Sequence, residues 1–85
     1  MRLRFSKPYL AYYDRLPRNI RNRADKQLRL LLDNPCHPSL RLHKMQGYTN
    51  RWEISVTMQY RITFDIEGEE YVLRKIGPHD ILDRP

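Results

Sequence analysis

The apolar residues of this chain repeat with one period in the first half and another in the second, and that switch restricts the fold more than any other feature. In "PRNIRNRADKQLRLLLDN", Ile20, Ala24, Leu28 and Leu31 fall at i, i+4, i+8 and i+11, one apolar stripe of an amphipathic helix. From residue 51 the period is two. Trp52, Ile54, Val56 and Met58 alternate with Arg51, Glu53, Ser55 and Thr57, the pattern of a half-buried antiparallel strand. "YRITFDI" repeats it with Ile62, Phe64 and Ile66 inward, Gly68 marks a turn in "EGEE", and "YVLRKIG" reads as a third strand. A helical half followed by a run of strands is an α+β arrangement.

The N-terminal segment fits the same plan. "MRLRFS" alternates, with Leu3 and Phe5 on one face and Arg2 and Arg4 on the other, and reads as a short strand. Ser6 is placed to cap a helix that begins at Pro8, a residue tolerated in a first turn. Pro17 interrupts that helix, and Asn34-Pro35 ends the second one. Residues 34 to 50 form a connection in which Leu40 and Leu42 are expected to pack as a short strand. The expected order is β-α-α-β-β-β, one domain over residues 1–85, with two N-terminal helices on one face of a small antiparallel sheet. The opposite face then carries the polar set.

Charge bears on partners. The chain has 16 Lys+Arg against 10 Asp+Glu, a net charge of +6, and a pI near 9.8. A small domain this basic is expected to meet nucleic acid, an acidic protein or a membrane surface. On the second helix Arg18, Arg21, Arg23, Lys26 and Arg29 have almost no acidic company apart from Asp25; Arg21 and Arg29 are candidate phosphate contacts. No stretch has the length and apolarity of a signal peptide or membrane span, so a cytoplasmic chain with no membrane partner is expected. Cys36 has no partner for an internal disulfide. Together with the histidines it matches no zinc spacing, so neither a metal nor a cofactor is expected.

The polar face has the parts for cleaving RNA. Glu53 and Arg61 lie on it by alternation, Arg51 with them, and Arg74 or Lys75 projects to the same side. His43 and Lys44 enter from the preceding loop, and His79 follows Gly77-Pro78 at the last strand's end. Cleavage by the neighbouring 2′-OH needs a base, an acid for the leaving oxygen and cations for the phosphate. Histidine suits proton transfer near neutral pH and arginine suits phosphate. Each also has a plain reading: His79 as a solvated loop residue, and Glu53 as half of a cross-strand ion pair with Arg51 or Arg61.

The block "NPCHPSLRLHKMQGYTNRWEISVTMQYRITFDIEGEEYVLRKIGPHDI" resembles the RelE/ParE superfamily of bacterial type II toxins. The pieces that carry the resemblance are "LRLHKMQG", the "WEISVTMQYRITFDI" strand pair and a last strand running into "GPHD". The resemblance implies an RNase that cuts mRNA, commonly on the ribosome, and is silenced by a cognate acidic antitoxin. Arg61 matches the "YR" arginine at the scissile phosphate, and His79 a position that keeps a His, Lys or Arg as acid or base. His43 matches a histidine before the "L.G" turn, and Glu53 an acid used in some branches. Lys44, Arg51, Arg74 and Lys75 then join Arg21 and Arg29 as RNA contacts. Ser55 and Gln59 stand where one branch has His and Asp, and "ILDRP" lacks the base-stacking aromatic of many ribosome-dependent members. The superfamily also contains gyrase poisons, so a ParE-like gyrase inhibitor and a non-toxic nucleic-acid-binding relative remain open readings.

Overall fold

The computed structural model describes residues 1–85, the side chain of Asp83 excepted. Local signals set its helices. Ser6 is extended, and its Oγ accepts from the Tyr9 N–H at 3.2 Å to cap α1 (Lys7–Asp14), satisfying one of the donors that a helix start leaves unpaired. Pro17 precedes α2 (Arg18–Asp33), which buries Ile20, Ala24, Leu28 and Leu31, the expected stripe, together with Gln27. At its end the Asn34 N–H donates to the Leu30 carbonyl at 2.7 Å, and Asn34 leaves helical backbone at φ −153°, as a residue before proline tends to do.

Five strands lie in the order β1-β5-β4-β3-β2. They are β1 (Arg2–Phe5), β2 (His43–Lys44), β3 (Arg51–Ser55), β4 (Tyr60–Glu67) and β5 (Glu70–Pro78). The last three form the expected antiparallel meander. β1, however, pairs in parallel with β5, so the sheet is mixed. Parallel neighbours need a long connection between them, and both helices and most of the sheet lie between these two in sequence. Leu40 and Leu42 form no strand. Leu40 closes a 3-10 turn (Pro38–Leu40) and is fully buried, and Arg41 turns the chain with left-handed backbone at φ 48°. β2 begins only afterwards.

The core face follows from register. Ile54, Ile62 and Ile76 stand abreast across β3, β4 and β5, with Trp52, Phe64 and Leu73 in the next row. They join the α2 stripe and Tyr9 in one apolar cluster. Each fully buried side chain of this size contributes about 1.5–3 kcal/mol. Met58, expected as the fourth inward residue of its strand, is 82% exposed. β3 ends at Ser55, and residues 56–59 make the turn into β4.

The opposite face is less open than its polar sequence suggests. Glu53, Ser55 and Thr63 are all buried. A segment at the end of the described chain crosses part of this face, beginning with a 3-10 turn (His79–Asp83). A Cβ on Gly77 would come within 2.8 Å of Ile81 Cγ2, so glycine lets that turn lie against β5. Further along, Thr63 Oγ1 donates to the Pro85 carbonyl at 3.3 Å and Lys75 Nζ to the Arg84 carbonyl at 2.5 Å. No helix is long and apolar enough to cross a membrane.

Candidate functional site

The uncovered part of the polar face centres on Glu53. β3 pairs with β2 on one side and β4 on the other, which sets Glu53 directly between His43 and Thr63. Its Oε1 lies 3.2 Å from His43 Nε2 and 3.8 Å from Arg61 Nε. A buried carboxylate is costly without cationic or hydrogen-bonding partners, and here both come from adjacent strands. Among the described residues Oε2 has no protein partner. The other ring nitrogen of His43, Nδ1, is 2.9 Å from the Arg41 carbonyl. Both nitrogens therefore face oxygen atoms of the protein. The imidazole is the accessible member, with 58% of its side chain exposed against 8% for Glu53 and 11% for Arg61.

Arg61 is more tied down than a free phosphate clamp. Its Nη1 donates to the carbonyls of Met58 at 2.9 Å and Tyr60 at 3.1 Å, and also to that of Thr57, so the guanidinium holds the β3–β4 turn closed. Its Nη2 has no partner among the described residues. The Nη2 amino group is thus free for an anion, while Nη1 is committed to the turn.

The remaining candidates divide by register. A bulge between Thr63 and Phe64 makes Arg74 the extra residue of β5, since Thr63 pairs with Lys75 and Phe64 with Leu73. Arg74 then reaches Asp65, Nη1 to Oδ2 at 3.4 Å. Arg51 meets the same carboxylate, Nε to Oδ1 at 2.6 Å, and packs against the Tyr48 ring at 5.3 Å. These two arginines are occupied by an acid that sequence reasoning did not assign to them. Lys75 is held by the Arg84 carbonyl. Lys44 pairs in register with Trp52 and not with Glu53, which turns it to the other face of the sheet, away from the cluster expected to hold it. His79 is exposed in the 3-10 turn after β5 and makes no hydrogen bond or ion pair among the described residues. The structure thus brings together His43, Glu53 and Arg61, and leaves His79 and Lys44 outside. Arg21 and Arg29 sit on α2, half-buried and exposed respectively. Among the described residues no group of three or more His, Cys, Asp or Glu is placed to hold a metal ion.

Gln27 escaped the sequence reading. Buried on α2, it donates through Nε2 to the Ser55 carbonyl at 2.9 Å and the Ser39 carbonyl at 3.3 Å, tying the helix to the end of β3 beside Arg61. Its signal was present: position 27 falls between Ala24 and Leu31 on the apolar stripe, where a polar residue needs buried partners.

No family model matches the chain, and no curated protein does. Solved structures do. The chain is similar to the YoeB/ParE toxin from Agrobacterium tumefaciens, with a TM-score of 0.79 and 14% identity over 93% of this chain and 99% of that one. It is similar to a chain of the RelB-RelE antitoxin-toxin complex from Methanococcus jannaschii, with a TM-score of 0.76 and 20% identity over 94% of each. The E. coli DinJ-YafQ toxin-antitoxin complex contains a third, with a TM-score of 0.78 and 15% identity over 94% of this chain and 93% of that one. The chain has the RelE/ParE toxin fold.

Proposed function

We propose that this chain is the toxin of a type II toxin–antitoxin pair, an endoribonuclease that cuts mRNA on the ribosome and is silenced by an acidic antitoxin protein. The observation that carries the reading is the buried Glu53 between His43 and Arg61 on the polar face, in the fold shared with solved toxins, some of them complexed with antitoxins. The net charge of +6 suits both an RNA substrate and an acidic inhibitor.

In this mechanism the 2′-oxygen of the substrate bonds to the adjacent phosphorus and the bond from phosphorus to the 5′-oxygen breaks. The proton of the 2′-OH passes to Glu53 through Oε2, the carboxylate oxygen without a protein partner. His43 gives a proton to the leaving 5′-oxygen, and its exposure allows the ring to reach a substrate lying on the face. The products are a 2′,3′-cyclic phosphate and a 5′-hydroxyl. A turn of the Glu53 carboxyl then exchanges its two oxygens, and the proton crosses to His43 Nε2, which lies 3.2 Å from the oxygen facing it, restoring the starting state. Arg61 meets the developing charge on the phosphate through Nη2, and a fixed donor aimed at such charge is worth about 10²–10³ in rate. His79, at the margin, acts as a further cation or proton donor for the strand beyond the scissile bond.

The test is in vitro translation of a defined message with primer-extension mapping. Cuts at fixed codon positions that disappear in Glu53→Gln support the proposal. An intact message together with gyrase-dependent double-strand breaks in DNA would overturn it in favour of a gyrase inhibitor.

A further inference from the structure

A groove of about 960 Å³ lies on the helix side of the β3–β4 turn, between α2 and the 3-10 turn that follows it. Arg23 and Lys26 of α2 line it, together with His37 and Arg41. No acidic residue lines it. Among the described residues Arg23, Lys26 and Arg41 enter no ion pair and make no side-chain hydrogen bond, whereas Arg4, Arg51, Arg61 and Arg74 all have carboxylate partners. Unpaired cations gathered in a concavity raise the local concentration of an anionic ligand.

The groove is joined to the Glu53 cluster through shared backbone. The Arg41 carbonyl in its wall faces His43 Nδ1 at 2.9 Å. Carbonyls of Thr57 and Met58, which line it too, accept from Arg61 Nη1. Ser55, also in the lining, pairs in register with Arg61. These shared residues set the groove beside the strand ends that carry Arg61 and His43.

We propose that this groove holds the phosphate backbone of single-stranded RNA on one side of the cleavage point. The inference rests on the nuclease reading and adds to it the route of the substrate. No Phe, Tyr or Trp lines the groove, so it lacks the large aromatic platforms on which bases stack. Recognition runs through phosphates to Arg23, Lys26 and Arg41, and it is indifferent to sequence.

The test uses the full chain with Arg23→Ala and Lys26→Ala combined, both being exposed positions on α2. Fluorescence anisotropy is measured on a trinucleotide and on a strand of about twelve nucleotides, within the span that single-strand-binding domains cover. Losing two phosphate contacts should weaken the longer strand on the order of 10-fold at 0.1 M salt and flatten its log–log salt slope by about 1.4. Trinucleotide binding should not change. Equal loss for both lengths would overturn the groove in favour of a general charge effect, and no loss for either would remove the groove while leaving the nuclease reading intact. Undiminished RNA binding with lost capture of polyglutamate would make it a peptide dock instead. A wild-type chain that binds neither RNA would overturn the groove, and the nuclease reading would then stand or fall on the translation assay alone.

Discussion

Glu53 and His43 meet across β3 and β2 at 3.2 Å, Oε1 to Nε2, with the acid buried and the imidazole largely in solvent. The pairing divides labour: the sheet fixes the carboxylate, and the edge strand presents the ring. Glu53→Gln and His43→Ala should each lower single-turnover cleavage of ribosome-bound mRNA by about 10²–10⁴, the range for a lost proton-transfer group. His79→Ala should cost less than either, because among the described residues no hydrogen bond or ion pair ties it to the cluster. Were His79→Ala the most damaging of the three, the proton pair would have to be reassigned.

Arg61 carries a second role that separates it from the other two. With Nη1 on the carbonyls of the β3–β4 turn, Arg61→Ala removes hydrogen bonds as well as the charge beside Glu53. Loss of a partner from buried polar groups costs about 1–3 kcal/mol. Chemical denaturation should therefore show Arg61→Ala destabilised by that order, and His43→Ala destabilised as well, by about 1 kcal/mol, because it takes the nearer partner from buried Glu53.

Gly77 answers to packing. A methyl added there meets Ile81 Cγ2 at 2.8 Å, so Gly77→Ala should destabilise by about 1–3 kcal/mol through overpacking. In an Ile81→Ala background the same substitution should cost much less, a coupling that a double-mutant cycle measures directly. Additive effects would show that the 3-10 turn does not rest on β5 in solution.

Tyr9 predicts an alkaline limit to stability. Its ring is 1% exposed and its hydroxyl has no partner. Burial first, then the nearby charges of Asp25 and Tyr13, hold its pKa well above the ordinary tyrosine value. Because the folded chain retains this proton more tightly than the unfolded chain, the contribution is complete below about pH 10 and lost as pH rises beyond it. Melting curves should show a fall in Tm above that pH, reduced in Tyr9→Phe. At neutral pH Tyr9→Phe should also stabilise by about 1 kcal/mol, since it deletes an unsatisfied buried hydroxyl.

What the sequence determined by itself was everything that depends on near neighbours along the chain. The stripe from Ile20 to Leu31, the cap at Ser6, the stop at Asn34-Pro35 and the alternation through β3 and β4 all have periods or signals of a few residues, and all appear where expected. That alternation was enough to set Glu53 and Arg61 on one face. Tertiary structure decided whatever rests on contacts between distant segments. The parallel pairing of β1, the bulge that sends Arg74 to Asp65, and the closing segment over Thr63 leave no mark in a local pattern. The choice among histidines is of the same kind. The sequence favours His79 as the acid or base with His43 assisting, and only the pairing of a two-residue edge strand puts His43 against Glu53. Periodicity says which face a side chain takes; register, a property of two strands at once, says what it touches there.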